Sequence, residues 1–314
     1  MAIAPELIDR FLRDFSPRQP GDGKFGLAVS GGPDSMALLA LAHEAFDEEE
    51  FAVATVDHGL RPEASEECAL VAEICAERGL SCAVLRTDVA PGNVQEQARI
   101  ARYAALGKWA TAEGIASLAT AHHADDQSET FLMRLNRGSG LAGLSGIREW
   151  TKIKGCEAEI LRPLLGFRRS ELRAVVEAAG IPFVEDPSNV DERFDRVRMR
   201  KVLAEADWLD PVAIARSAAH LAEAEQTLAS IARLHWDRAA VVEPDTVTVP
   251  RTDFLDTNAR LVARAIEHLG GAIAHGEVIE FLKGLHKRGN VAGMLVEARA
   301  DSFLCRREPV RRTG

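Results

Sequence analysis

The chain has 314 residues, 46% of them hydrophobic and 27% charged, which are the proportions of an ordinary globular protein and argue against a disordered or fibrous chain. No apolar run approaches the ~20 residues that a bilayer-spanning helix needs, and the N-terminal MAIAPELIDRFLRDF mixes charge with apolar residues where a signal peptide would be apolar; a cytoplasmic protein with no membrane segment is expected. Five cysteines without a C-x-x-C pair argue against a disulfide framework and a zinc ribbon.

In chain order, β-rich runs at Phe25–Val29, Phe51–Val56, Leu80–Arg86, Ile115–Ala121 and Glu159–Leu164 alternate with amphipathic stretches at Asp34–Phe46, Glu63–Arg78, Val94–Ala112 and Asp125–Arg137. This alternation predicts an α/β domain with a doubly wound parallel sheet. After about Asp207 the strand signal fades. Pro211–Arg238 reads as a long Ala-rich helix, Asp256–Leu269 and Gly276–Leu285 as two more, and Met294–Arg299 with Ser302–Cys305 as a terminal hairpin. The expected organisation is a Rossmann-like domain over 1–208 and a smaller, mainly helical domain over 209–314.

Ligands of doubly wound sheets sit beyond the carboxyl ends of the strands, where the strand order reverses. The segments after the first, second and fourth strands are SGGPDS, DHGLRPE and HHADDQSET, so these three polar stretches are predicted to converge. In Ser30-Gly31-Gly32-Pro33-Asp34-Ser35 a strand runs into two glycines and then opens a helix. Successive backbone N–H groups there face an anion at close range, because glycine has no Cβ to block it. Pro33 suits the first helical position. Asp34 beside a phosphate would be repelled unless a cation lay between them, which implies Mg²⁺. No Gly-Lys-Ser/Thr follows, so this is not the Walker loop.

Asp126 and Glu129 lie three apart on a predicted helix and share a face, with His122 just upstream at the strand end. They suit an ammonium ligand or a proton acceptor, a carboxylate complement to the helix dipole, or a hydrolytic metal cluster with the two histidines; spacing alone does not separate these roles. The net charge is −10, but residues 131–201 hold 14 Lys and Arg against 10 Asp and Glu. A local basic face attracts phosphate even on an acidic molecule, because screening over ~10 Å at about 0.1 M salt hides distant charge. Arg134 and Arg137 lead a glycine-rich loop, and Arg196 and Arg200 share a helical face from which Arg198 points away.

The strand followed by SGGPDS resembles the N-type pyrophosphate-loop ATPases. Val56-Asp57-His58-Gly59-Leu60-Arg61, His122 to Thr130, Arg134 to Gly146, the Asn93…Arg99…Arg102-Tyr103 helix, Arg162-Pro163-Leu164-Leu165 and Asp186-Pro187-Ser188-Asn189 together resemble the tRNA(Ile)-lysidine synthetase family within them. The resemblance implies a ligase that cleaves ATP to AMP and pyrophosphate. The C2 oxygen of the wobble cytidine in an isoleucine tRNA with a CAU anticodon is adenylated, and free L-lysine then displaces AMP through its ε-amine to form lysidine. It implies ATP and Mg²⁺ as cofactors, Ser30 to Ser35 as the ATP loop with Asp34 toward the metal, and His122, Asp126 and Glu129 as the catalytic or lysine-binding group. His58, Arg61, Arg102, Arg134, Arg137, Arg196 and Arg198 become candidate contacts to phosphate or tRNA. The chain fits a shorter form of the family, in which tRNA is recognised by the first domain and the helical one; a homodimer is left open. The alternatives are a tRNA thiolation enzyme on the same loop, disfavoured by the lack of a C-x-x-C pair, and a non-catalytic nucleotide or tRNA binder, disfavoured by carboxylates set beside phosphates.

Overall fold

The structure, a computed structural model, describes residues 2–15, 23–60, 63–153, 155–185 and 195–308. It forms two compact units, Met1–Ser139 with Gly143–Ala219, and Gly140–Ala142 with His220–Gly314. The division falls within the long helix, eleven residues beyond the boundary expected near 208.

The first unit carries α1 (Pro5–Phe15), β1 (Phe25–Ala28), α2 (Pro33–Ala45), β2 (Phe51–Asp57), α3 (Glu63–Glu77), β3 (Cys82–Arg86), α4 (Val94–Ala112), β4 (Ser117–Ala119) and α5 (Ala124–Asn136). After the short α6 (Leu141–Leu144) come β5 (Trp150–Ile153), β6 (Cys156–Leu161), α7 (Arg169–Ala178), α8 (Asp195–Glu205) and the start of α9 (Pro211–Ala239). Its sheet has the order β3-β2-β1-β4-β6-β5. All neighbours are parallel except β5, which returns antiparallel on β6. The chain winds outward from β1 through β2 to β3, then crosses to β4 on the other side of β1, so the sheet is doubly wound, as expected, and its order reverses between β1 and β4.

Packing explains why these strands lie where they do. Every residue of α2 from Ser35 to Ala42 is buried, since the helix is apolar on all sides and is covered by α1, α7 and the sheet. On this face the Phe15 ring lies tilted against Phe25 (ring centroids 4.6 Å apart), and Phe46 stands edge-on to Phe25 at 5.0 Å, which fastens α1 to β1. On the other face Tyr103, Leu106 and Trp109 of α4 pack on Ala52, Ala54, Leu118 and Ile160. Gly26 makes that approach possible: a Cβ there would stand 2.5 Å from Leu118 Cδ2 and 2.9 Å from Trp109 Cζ3.

The second unit holds the rest of α9, β7 (Val241–Val242), β8 (Thr246–Pro250), α10 (Leu255–His268), α11 (His275–Gly284), β9 (Arg288–Val291), β10 (Met294–Ala298) and β11 (Ser302–Arg307). It has the expected helices, and the expected terminal hairpin, β10–β11, is joined by three further strands into a five-stranded antiparallel sheet, β7-β8-β11-β10-β9. Val247, Val249, Phe303 and Cys305 alternate inward and meet Leu261, Val262 and Ile266 of α10. No described helix is long and apolar enough to cross a membrane.

Candidate active site

The β1–α2 turn and the end of β4 flank the reversal of strand order. Gly31 takes φ +84°, a left-handed conformation that favours glycine. Gly32 caps α2 without a side chain, leaving the first-turn amides and the positive end of the helix dipole open to an anion. Ser35 is buried and holds the turn: its Oγ accepts from the Ser30 amide at 3.1 Å and donates to the Gly32 carbonyl at 3.0 Å. Ser30 is exposed. The segment after α7 is tied to the same turn by Val184 N–H, which donates to the Gly31 carbonyl at 2.9 Å.

Asp34 Oδ1 is buried and has no hydrogen-bond partner, while Oδ2 lies 3.4 Å from His123 Nε2. An orphaned carboxylate oxygen beside an anion-binding turn fits a divalent cation. Among the described residues no group of three or more His, Cys, Asp or Glu is arranged to hold a metal ion. A cation at Asp34 would therefore draw its other oxygens from phosphates and water, which is how Mg²⁺ usually binds.

His123, which the sequence reading held only as part of a candidate metal cluster, links this turn to α5. Fully buried, it caps that helix through Nδ1, which accepts from the Asp126 amide at 3.4 Å, while Asp126 Oδ2 accepts from the His123 amide at 3.2 Å. Burial disfavours a charge on the ring, but the Asp34 and Asp126 carboxylates outweigh it and hold the His123 pKa above its ordinary value. The HHADD pattern held this signal, since a histidine at the N-cap with Asp three residues on is a variant of the capping box.

The neighbouring His122 behaves in the opposite way. Its Nδ1 lies 3.1 Å from Thr120 Oγ1. Burial, with Arg162, Arg102 and Arg196 nearby, outweighs the Asp126 carboxylate and lowers its pKa to about 3, so the imidazole is neutral near pH 7.

Asp126 and Glu129 come together with arginines from two later helices. Arg196 Nε donates to Glu129 Oε2 at 2.8 Å and Arg196 Nη2 to Asp126 Oδ1 at 3.0 Å. Arg200, one turn on, donates to Glu129 Oε1 at 2.9 Å, and Arg169 Nη2 lies 3.6 Å from the same oxygen. Asp125 turns away to receive Arg168 and the Arg169 amide. For Asp125 and Asp126 burial opposes the charge, but these donors, and the His123 ring beside both, hold each below the usual carboxylate range. Arg168 and Arg169 were not among the candidate residues, and only the basic surplus of 131–201 pointed toward them; Arg200 was read only as sharing a helical face with Arg196.

The other candidates are dispersed. His58 follows β2, its Nδ1 accepting from the Leu60 amide at 3.3 Å; Arg61 lies outside the described residues. Arg134 donates to the Gly143 and Gly146 carbonyls at 2.8 and 3.0 Å and so braces the glycine-rich loop. Arg137 and Arg198 both pair with Asp195 on the surface. Arg102 stands beside Tyr103, its Cζ 5.2 Å from the ring centroid.

Residues 5–206 match the PP-loop domain family. The chain is 46% identical over 310 residues to a tRNA(Ile)-lysidine synthase of Novosphingobium aromaticivorans, covering 97% of this chain and 94% of that protein. It is 41% identical to the enzyme of the same name from Zymomonas mobilis, covering 85% and 83%, and 37% identical to that of Ruegeria pomeroyi, covering 92% and 72%. Among solved structures it resembles the U34-tRNA thiolase NcsA of Methanococcus maripaludis (TM-score 0.59, 16% identity, 70% of this chain and 79% of that one), a likeness of fold alone.

Proposed function

Since the chain belongs to the PP-loop family of tRNA(Ile)-lysidine synthases, we propose that it adenylates the wobble cytidine of a CAU-anticodon isoleucine tRNA and joins free L-lysine to it. The observation that carries the reading is the meeting, at one reversal of strand order, of an anion-binding turn bearing Asp34 with the His122–Asp126–Glu129 group.

In the first step the cytidine C2 oxygen attacks the α-phosphorus of ATP, an O–P bond forms, the bond to the β-phosphate breaks and pyrophosphate leaves. The Gly31–Ser35 turn and the start of α2 receive the phosphates through backbone N–H groups. Asp34 would hold Mg²⁺, which when bound neutralises phosphate charge. His123, wedged against Asp34 and Asp126, fixes the orientation of both carboxylates.

In the second step the lysine ε-nitrogen attacks C2, the C2–O bond breaks and AMP departs. Lysine carries two ammonium groups and a carboxylate, and the site offers Asp126 and Glu129 to the former and Arg196, Arg200 and Arg169 to the latter. The ε-ammonium must lose a proton. From a reference pKa of ~10.4 this costs about 4.6 kcal/mol at pH 7, whereas transfer to a group with the low pKa of His122 would cost about 10 kcal/mol. His122 therefore serves as a neutral hydrogen-bonding partner, and the proton leaves by another route. The second unit contributes tRNA contacts, and a tRNA substrate puts the reaction in the cytoplasm.

Purified protein with ATP, Mg²⁺, L-lysine and the CAU-anticodon tRNA should release pyrophosphate and yield lysidine, detected by mass spectrometry of digested nucleosides. Asp34→Asn should abolish both products while the circular dichroism spectrum is unchanged. Pyrophosphate release without lysine in the RNA would return the thiolase or another ligase, and full activity of Asp34→Asn would sink the metal-bridge assignment.

A further inference from the structure

Beside His122 the carboxyl edge of the sheet bears a second group of arginines that the reaction just described does not use. Arg99 and Arg102 of α4 hold Cζ atoms 5.0 and 5.2 Å from the Tyr103 ring centroid. Arg162, the first residue past β6, is 6% exposed, and its Nη1 donates to the Arg148 carbonyl at 2.6 Å. The Tyr103 hydroxyl acts on this guanidinium, and Arg99 lies near enough to repel it. The Arg148 side chain in turn bears on Arg134.

These arginines differ from those around Glu129 in having no counter-charge. Arg168, Arg169, Arg196 and Arg200 all meet Asp125, Asp126 or Glu129. Among the described residues, Arg99, Arg102, Arg148 and Arg162 pair with no carboxylate. Arg162 Nε and the Tyr103 hydroxyl, each on a side chain more than nine-tenths buried, make no full hydrogen bond to any other group and lie close enough to act only on each other. A buried guanidinium whose acceptors are a carbonyl and a neutral hydroxyl keeps an unmatched charge, which is costly unless something from outside completes it. An anion is the natural complement.

The patch also carries an aromatic ring. Trp150 opens β5 opposite Leu161, next in the chain to Arg162, and is 42% exposed. Guanidiniums without acids beside an exposed indole are the features that bind single-stranded nucleic acid, the former on phosphates and the latter on a base face. A free nucleotide needs no second phosphate site of this kind, because the β1–α2 turn already supplies one.

We propose that Arg99, Arg102, Arg148 and Arg162, together with Trp150, form the cradle that grips the anticodon-loop backbone and stacks one of its bases. This rests on the lysidine reading, in which the wobble base must reach the edge at His122 while its neighbours are held outside.

The test compares the wild type with an Arg99→Ala/Arg148→Ala double variant and with Trp150→Ala, all at exposed or half-buried positions. Binding of a synthetic anticodon stem-loop is measured by fluorescence anisotropy across a salt series, and ATP binding by equilibrium dialysis. The double variant should weaken RNA binding about tenfold and lower the slope of log K against log salt by about 1.4, two single-strand phosphate contacts at ~0.7 each. Trp150→Ala should weaken it about tenfold with the slope unchanged. ATP affinity should stay within about twofold in both. Unchanged RNA affinity and slope in folded variants, with lysidine formed by the wild type, overturn the cradle alone; a wild type that fails to bind the stem-loop overturns it as well. A wild type that makes no lysidine, but whose RNA binding weakens in the variants as described, sinks the functional reading and leaves the cradle standing.

Discussion

Glu129 is 1% exposed, and a carboxylate taken so far from water is tolerated only when its lone pairs are filled. Arg196 and Arg200 fill them while keeping 44% and 29% of their own side chains in solvent. Glu129→Gln keeps the shape and removes the charge, and because both arginines can regain water the expected loss is about 1–3 kcal/mol, less than the ~3–5 kcal/mol of breaking a wholly buried pair. The midpoint in urea should fall accordingly and the KM for lysine should rise. An unchanged lysine dependence would remove Glu129 from the lysine site. His122 gives a prediction whose sign follows from burial. The unfolded chain takes up a proton on this histidine as pH falls through about 6.5, but the folded one resists until about 3, so the group removes stability progressively as pH falls across that interval. His122→Asn, which can still bond Thr120, should flatten the loss of stability between about pH 6.5 and pH 4 relative to the wild type; parallel urea-midpoint profiles would show that His122 titrates normally.

Among the elements, the β1–α2 turn depends on one backbone angle. A Cβ on Gly31 would have room, 3.4 Å from the Glu67 carbonyl oxygen, so Gly31→Ala is penalised by the positive φ and not by a clash. It should cost about 1–2 kcal/mol and weaken ATP binding, read as a lower thermal midpoint and a higher KM for ATP. A midpoint equal to the wild type's would mean that the turn relaxes without cost. The elements readable from sequence share strong local signals. The helix predicted at Val94–Ala112 has those bounds, set by Asn93, which accepts from the Glu96 amide, and by Gly114 beyond its end. β5, β7, β8 and β9 lie outside the predicted set, as do α1, α6 and α7. RGNV carries little β-propensity, and WTKI, though rich in strand-favouring residues, is only four residues long; both gain their ladder hydrogen bonds from β6 and β10, a pairing that no local pattern announces.

In the whole molecule the two units have separate hydrophobic clusters, and the second is locked by Glu225, 5% exposed, which receives Arg260 at 2.8 and 2.7 Å. Arg260 also bonds Asp256 and Asp256 bonds His275, so α9, α10 and α11 meet in one network. Glu225→Gln should destabilise this unit by about 2–4 kcal/mol and lower its melting transition, with ATP affinity unchanged because the phosphate turn lies in the other unit. A loss of ATP binding in proportion to stability would mean that the units unfold as one. Sequence by itself determined the alternation of strands and helices, the glycine turn proposed to take phosphate and the acid-bearing segment after the fourth strand, because each is written in residues that are neighbours in the chain; the order of the strands came from the structure. Only the tertiary structure decided which charges are matched: Glu129 and Asp126 are satisfied by arginines some 70 positions away, while Arg162 and its neighbours are left without acids. Sequence spacing does not measure distance across a sheet edge, and electrostatic energy depends on that distance and on burial.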